Sequence, residues 1–464
     1  MTSPAKRGRQ TVVVSIPVDP PLAANAGVVP SSEDLTQLGA EALAVSASSL
    51  GVSVASLAPV FTRAHKRGSH RPANAPHHRR FYRVNLPAHD ATALIERVQR
   101  LEGYDAHPLP EYRLPLQWEA AFGGGPAPTG PISPDFSGMQ THLEPAPRGV
   151  DARYAWTQKL LPTDSTHVRG ADIEYAWLLN HEDYAPRATL EYGVMSLLPK
   201  DRHHGTACIG AAVAMNNHSG VIGVAPDVSH IMCFAKEKLD SLANVIDHAW
   251  AKLSPGDVLL VELEVKGPAA LGNAHVAPEF HDEDLSAIKH ATEAGIVVVL
   301  PAGNSGVNLD DPALGGAFSD ARASDAIVVG AGLAPVPSVV GDRSREGYSN
   351  YGRRVNVQGY GNYLCTTGGG DLQGSAVGGE RRWYTAQFNG TSSAAAMVWG
   401  VCLMLQGIVK QHGGLLTSRE MRDLLVDTGS AQTPEPGGGA LKQIGPRPNM
   451  RAAIEQLRQR GVIP

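Results

Sequence analysis

The chain has 464 residues, with 40 Lys plus Arg against 45 Asp plus Glu and a formal net charge of -5 at pH 7. This slightly acidic balance argues against nucleic acid or an anionic membrane surface as the main partner, and no run of 18 apolar residues offers a transmembrane helix. A chain this long can bury a large core in about two or three units, and its four scattered cysteines (Cys208, Cys233, Cys365, Cys402) predict neither a disulfide framework nor a metal-binding pair.

The first ten residues lack the apolar segment and cleavage site of a secretory signal, so the reduced cytoplasm is the expected compartment, with leaderless export as the other route. Residues 11–18 read as a strand. Residues 31–50 read as a helix capped by Ser31 or Ser32. Residues 63–83 are basic and His-rich, with Pro and Gly interspersed, and are expected as a solvated linker. Polar and apolar residues alternate over 80–86. Asp90 then caps a helix with Leu94, Ile95, Val98 and Leu101 on one stripe, and Gly103 stops it. Residues 1–110 are therefore expected to hold a small N-terminal α+β unit, and the Pro- and Gly-dense residues 111–150 a linker.

From residue 151 onward, apolar β-branched runs alternate with helical stretches, which predicts an α/β domain with a mainly parallel central sheet flanked by helices. The expected strands cover 221–224, 258–265, 296–300 and 327–329. The expected helices cover 284–294, 394–405, 418–426 and 451–459.

Four stretches carry chemistry. Gly390-Thr391-Ser392 turns straight into the small, apolar residues of a buried helix. A serine there faces unsatisfied N–H groups and the positive end of the helix dipole, which suits a nucleophile, although capping alone is equally compatible. In Asp201-Arg202-His203-His204-Gly205-Thr206 a histidine precedes a glycine at the start of a run of small residues, with His203 as the confusable neighbour. In Gly170-Ala171-Asp172-Ile173-Glu174 a carboxylate follows a short strand; Asp172 is the first choice, and Glu174, Asp183 and Asp201 are rivals. Finally, the apolar run 297–300 empties into Pro301-Ala302-Gly303-Asn304, whose amide can donate to an oxyanion.

Taken in the order acid, His, Asn, Ser, these pieces resemble the subtilisin-like serine proteases, whose triad runs in that chain order. The similarity extends to Asn216-Asn217-His218-Ser219-Gly220, to Asn180-His181-Glu182-Asp183 and to Asp325-Ala326-Ile327-Val328-Val329-Gly330-Ala331, over about residues 151–464. The resemblance implies a serine endopeptidase acting through an acyl-enzyme. Ser392 would be the nucleophile, His204 the general base, Asp172 its orienting acid, and Asn304 an oxyanion donor. It also implies protein or peptide substrates and an N-terminal region that inhibits its own chain. No cofactor is required for the chemistry. A structural calcium site is implied on Asp183 and Asn217. A catalytically silent binding protein on the same fold is the alternative.

Several positions depart from the family pattern. Asp172-Ile173-Glu174 replaces the commoner Asp-Ser/Thr-Gly, and the step from Asp172 to His181 is longer than usual. Ala396 and Met397 replace commoner residues after the serine. Glu262-Leu263-Glu264 replaces the usual wall of the specificity pocket, which leaves Glu264 and Lys266 to set its charge. Cys208, one helical turn beyond His204, is expected as a buried thiol whose modification by mercurials would disturb the imidazole.

Overall fold

The computed structural model describes residues 9–17, 58–59, 79–98, 105–114, 132–158, 168–336, 340–374 and 379–464. Chain contacts divide it into two compact units, 1–111 and 112–464. The helix expected over 31–50 lies outside the described residues.

Among the described residues, the first unit holds a four-stranded antiparallel sheet and one helix. Its strands are β1 (Arg9–Pro17), β2 (Ala58–Pro59), β3 (Arg79–Pro87) and β4 (Asp105–Pro108), in the order β2-β3-β1-β4. Helix α1 (Ala88–Val98) starts two residues before Asp90, which lies in its first turn. Val12, Val14 and Val84 alternate onto one sheet face and meet Ala91, Leu94 and Val98 of α1 in a small closed core.

The second unit is built on seven strands that pair only in parallel. They are β6 (Gly170–Glu174), β7 (Ala188–Tyr192), β8 (Ile231–Ala235), β9 (Val258–Val261), β12 (Val297–Pro301), β13 (Ile327–Gly332) and β14 (Val357–Tyr360), in the order β14-β13-β12-β9-β6-β8-β7. Central strands β9 and β12 read Val-Leu-Leu-Val and Val-Val-Val-Leu-Pro because both faces are covered. Helices α3 (Pro199–Val213), α4 (Leu242–Trp250), α5 (Asp282–Glu293), α6 (Gly390–Gln411), α7 (Ser418–Thr428) and α8 (Met450–Gln459) follow a first short helix, α2 (Ala152–Thr157). Helix α6 is long and apolar enough to cross a membrane, yet its whole apolar window is buried in this core.

Three expectations change. The run 258–265 is not one strand: it leaves the main sheet after Val261 and resumes as β10 (Glu264–Lys266) in a second sheet, between β11 (His275–Val276) and β5 (Tyr112–Arg113). Residues 221–224 are buried but form no strand, because Ile222 N–H bonds the Gln140 side chain and Gly223 N–H bonds the Ala214 carbonyl. Of the expected linker over 111–150, the described residues 112–114 and 132–150 fall in the larger unit. Leu143 and Val150 join its main core, and Gln140 bonds the Ile222 carbonyl at 2.8 Å.

Candidate active site

In an open parallel sheet, side chains gather functionally at the carboxyl ends of the strands. Three neighbouring strands do so here. β6 ends on Glu174, β9 leads into Glu262 and Glu264, and β12 leads into Asn304. The strand order β12-β9-β6 makes these ends adjacent.

His204 lies in the first half of α3 and is fully buried. Gly205 beside it lets the helix press against the chain after β6: a Cβ there would sit 2.4 Å from the Ala176 carbonyl oxygen and 2.6 Å from the Trp177 ring. The His204 Nδ1 lies 2.6 Å from Glu174 Oε1. This corrects the expectation that Asp172 stands behind the imidazole. Asp172 and Glu174 share one face of β6, but Asp172 lies two residues deeper, about 6–7 Å along the strand. Its Oδ2 instead accepts a 2.8 Å bond from Trp177 Nε1. The signal for Glu174 was in the sequence: the step to His181 that is too long from Asp172 is two residues shorter from Glu174.

Cys208 sits one turn further along α3, its thiol 3.5 Å from Glu174 Oε1 and 3.9 Å from His204 Nδ1. Burial pushes His204 down to about 3, so the imidazole is neutral at ordinary pH. Burial also holds the Glu174 carboxyl above its usual range, partly offset by the Cys208 thiol. Nε2 of His204 has no hydrogen-bond partner, and the ring meets Phe388 edge-on at 5.6 Å. His203 is accounted for separately, stacked on Trp383 at 5.0 Å.

Phe388 ends β16 (Tyr384–Phe388), which pairs with β15 (Leu364–Thr367) and leads into α6. Thr366 and Thr367 donate to the Ala207 and Thr206 carbonyls, tying this hairpin to α3 beside His204. Ser392 is the third residue of α6, fully buried, and its Oγ lies 3.5 Å from the Asn389 carbonyl. It is not hydrogen-bonded to His204. Ser393, by contrast, is committed to the Tyr360 carbonyl at 2.6 Å.

Asn304 is held against the same helix start. Its Oδ1 accepts from Thr391 N and Thr391 Oγ1, both at 2.9 Å, which leaves the NH₂ as the other end of the amide. The tight turn before it needs Gly303, with φ of 101° and a would-be Cβ 2.5 Å from Asn350 Nδ2. Asn304 N donates to Glu264 Oε2 at 2.8 Å. Glu262 is fully buried, and neither of its carboxylate oxygens has a partner. Burial, with Glu174 as the next cause, raises its pKa.

Asp183 and Asn217 do not fit a shared calcium ion as arranged. Asp183 accepts from Val221 N at 2.9 Å and Tyr384 OH at 3.0 Å, and the Asn217 group facing it is Nδ2 at 3.5 Å. The Asn217 oxygen is turned to Ser219. A hard cation shared by the two needs an oxygen from each converging on one point, and as arranged Asn217 turns its oxygen away from the Asp183 carboxylate.

A fully parallel sheet whose carboxyl ends gather an imidazole–carboxylate pair, an asparagine amide and a helix-initiating serine has the layout of an α/β serine peptidase. The family model described as "Subtilase family" matches residues 192–445, more than half of the chain. The chain therefore belongs to the subtilase family. The matched span takes in His204, Asn304 and Ser392 but begins after β6, the strand whose carboxylates depart from the family pattern.

The chain is 26% identical over 297 residues to alkaline elastase YaB from Bacillus sp. (strain YaB), covering 62% of this chain and 66% of that protein. It is 28% identical over 233 residues to subtilisin E from Bacillus subtilis (strain 168), covering 48% of this chain and 50% of that protein. It thus spans about half to two thirds of the length of these curated relatives. A solved protease structure from Pseudoalteromonas arctica matches with a TM-score of 0.50 at 19% identity, over 70% of this chain and 99% of that one, and has the same fold.

Proposed function

We propose that the chain is a serine endopeptidase that hydrolyses peptide bonds through an acyl-enzyme on Ser392, with His204 and Glu174 completing the triad. The observation that carries this reading is the 2.6 Å contact between Glu174 and His204 at the carboxyl end of the sheet. Ser392 Oγ attacks the scissile carbonyl, and its proton passes to the partnerless Nε2 of His204. Glu174 accepts a hydrogen bond from Nδ1–H, without taking the proton, and its negative charge compensates the imidazolium as it forms. The Asn304 amide and the Ser392 backbone N–H hold the oxyanion. His204 then returns the proton to the leaving amine. Water, deprotonated by the same imidazole, releases the acyl group. A hydrogen bond between Ser392 and His204 that is absent without substrate and tightens on binding is ordinary for such sites.

The N-terminal region is proposed as the chain's own inhibitor. What supports this is the chain that directly follows that region: Tyr112 and Arg113, the first residues of the larger unit, pair with β10. Ser392→Ala tests the whole reading. It should abolish labelling by a fluorophosphonate and lower casein hydrolysis by at least about 10³-fold. Wild-type casein hydrolysis by that variant would refute the mechanism.

A further inference from the structure

β10 is the middle strand of a three-stranded antiparallel sheet. On one side lies β11, close in the chain. On the other lies β5, only two residues long and drawn from far upstream, with Arg113 opposite Glu264 and Tyr112 opposite Val265. A two-residue strand contributes little ladder of its own; side chains hold it. Tyr112 OH donates to Asp284 at 2.7 Å, Tyr175 OH donates to the Tyr112 carbonyl at 3.0 Å, and the Lys236 ammonium lies 4.8 Å from the Tyr112 ring centroid. Arg113 Nε donates to Glu264 Oε1.

The two ends of that ion pair differ sharply. The Glu264 side chain is 1% exposed and that of Arg113 is 46% exposed. Glu264 is thus built into the protein, while its cation arrives from the solvent side. Arg113 is the one cation bonded to Glu264 among the described residues. The second Glu264 oxygen accepts from Asn304 N, and Asn304 in turn holds Thr391, the residue before Ser392. Contacts therefore run unbroken from Arg113 through Glu264 and Asn304 to the start of α6.

An edge that accepts one short extended segment can accept another, with main-chain bonds giving affinity and side-chain sites giving selectivity. If β5 leaves, a buried carboxylate loses its cation, a costly state that a guanidinium on the incoming strand relieves. Resting on the peptidase reading above, we propose that Glu264 is a specificity-determining residue. It selects extended peptides carrying an arginine opposite it on the β10 edge, and Arg113 is the built-in occupant of that subsite.

The test uses the full chain and two measurements. In the first, wild type and Glu264→Gln digest a denatured protein mixture, and mass spectrometry locates the cleavages. Arginine should be enriched at one fixed position relative to the cut bond. For matched arginine and glutamine peptides, the wild-type kcat/KM ratio should be about 10–100, falling to below about 5 in Glu264→Gln. Glu264→Lys should move the enrichment to acidic residues. In the second, a fluorescent arginine-bearing extended peptide is bound to Ser392→Ala with Arg113→Ala, which cannot turn over substrate and has its own occupant weakened. Binding should weaken at least about tenfold on adding Glu264→Gln, and in high salt. Cleavage with no arginine enrichment, or enrichment and binding that ignore Glu264, overturns the subsite. Absent hydrolysis with Glu264-dependent arginine binding would leave the subsite standing and remove the peptidase reading instead.

Discussion

Two regions of the larger unit bury charge and treat it oppositely. Around Glu279 and Arg354 every oxygen is answered. Arg354 Nε reaches Glu279 Oε2 at 2.7 Å and Nη2 reaches Oε1 at 2.8 Å, Ser324 Oγ donates to the same carboxylate, and Arg354 also bonds Asn356 and the Ala326 carbonyl. At the carboxyl ends of β6 and β9 the reverse holds. Asp172 Oδ1, Glu174 Oε2, His204 Nε2 and both Glu262 oxygens are buried without partners. Buried polar groups are normally satisfied, and each exception asks for a reason. The first region only has to hold still. The second, on the peptidase reading proposed above, has to leave His204 Nε2 open to take the Ser392 proton.

The sharpest way to break this contrast is to neutralise the two carboxylates of β6 one at a time. Glu174→Gln should lower kcat/KM by about 10²–10⁴-fold, since the imidazole loses the negative charge that fixes its tautomer and compensates the imidazolium, whereas Asp172→Asn should cost less than about tenfold. Equal losses in a steady-state peptide assay would undo the reassignment. Next comes the satisfied pair. Arg354→Ala leaves the Glu279 carboxylate buried without its cation, with only Ser324 still donating to it, so urea unfolding should register a loss of about 3–5 kcal/mol, with fluorophosphonate labelling per folded molecule unaltered.

A smaller effect concerns Asp183, whose carboxyl burial raises to about 7. The unfolded carboxyl ionises near 3.8, so the folded state holds a proton that the unfolded chain has already lost. Stability from this group is therefore full below about 3.8 and is lost as pH rises through about 7. Between pH 5 and pH 8, wild type should lose on the order of 2 kcal/mol more than Asp183→Asn. Parallel curves for the two proteins would contradict this. The smallest change expected without any reagent is that of Cys208→Ser. Its untreated activity should stay within about threefold of wild type, but mercurials should inhibit it far less, because the adduct would otherwise form 3.5 Å from Glu174. Equal mercurial sensitivity would point to another thiol.

The parallel sheet was legible because β9, β12 and β13 are buried on both faces and must be continuously apolar. His204 and Ser392 stood out as candidates because glycine and small residues follow the first and surround the second. Asp172 and Glu174 were not separable by residue type. Both are carboxylates on one strand face, and only depth along β6 decides which one meets the ring. Residues 221–224 look like a strand because burial selects the same residues whether or not a ladder forms. β5 carries no periodic signal at two residues, and its pairing with β10 joins residues 151 apart in sequence.

Helix α6 has a consequence for biosynthesis. It runs for 22 residues, about 33 Å at 1.5 Å per residue, and every strand of the seven-stranded sheet precedes it in the chain. Ribosomes deliver the amino-terminal side first. The sheet is thus complete in the nascent polypeptide before the segment bearing Ser392 emerges. Truncated translation products ending ahead of residue 390 lack the hydroxyl altogether, and in a full-length chain whose α6 has not yet docked, that helix presents a long greasy surface of the kind chaperones hold.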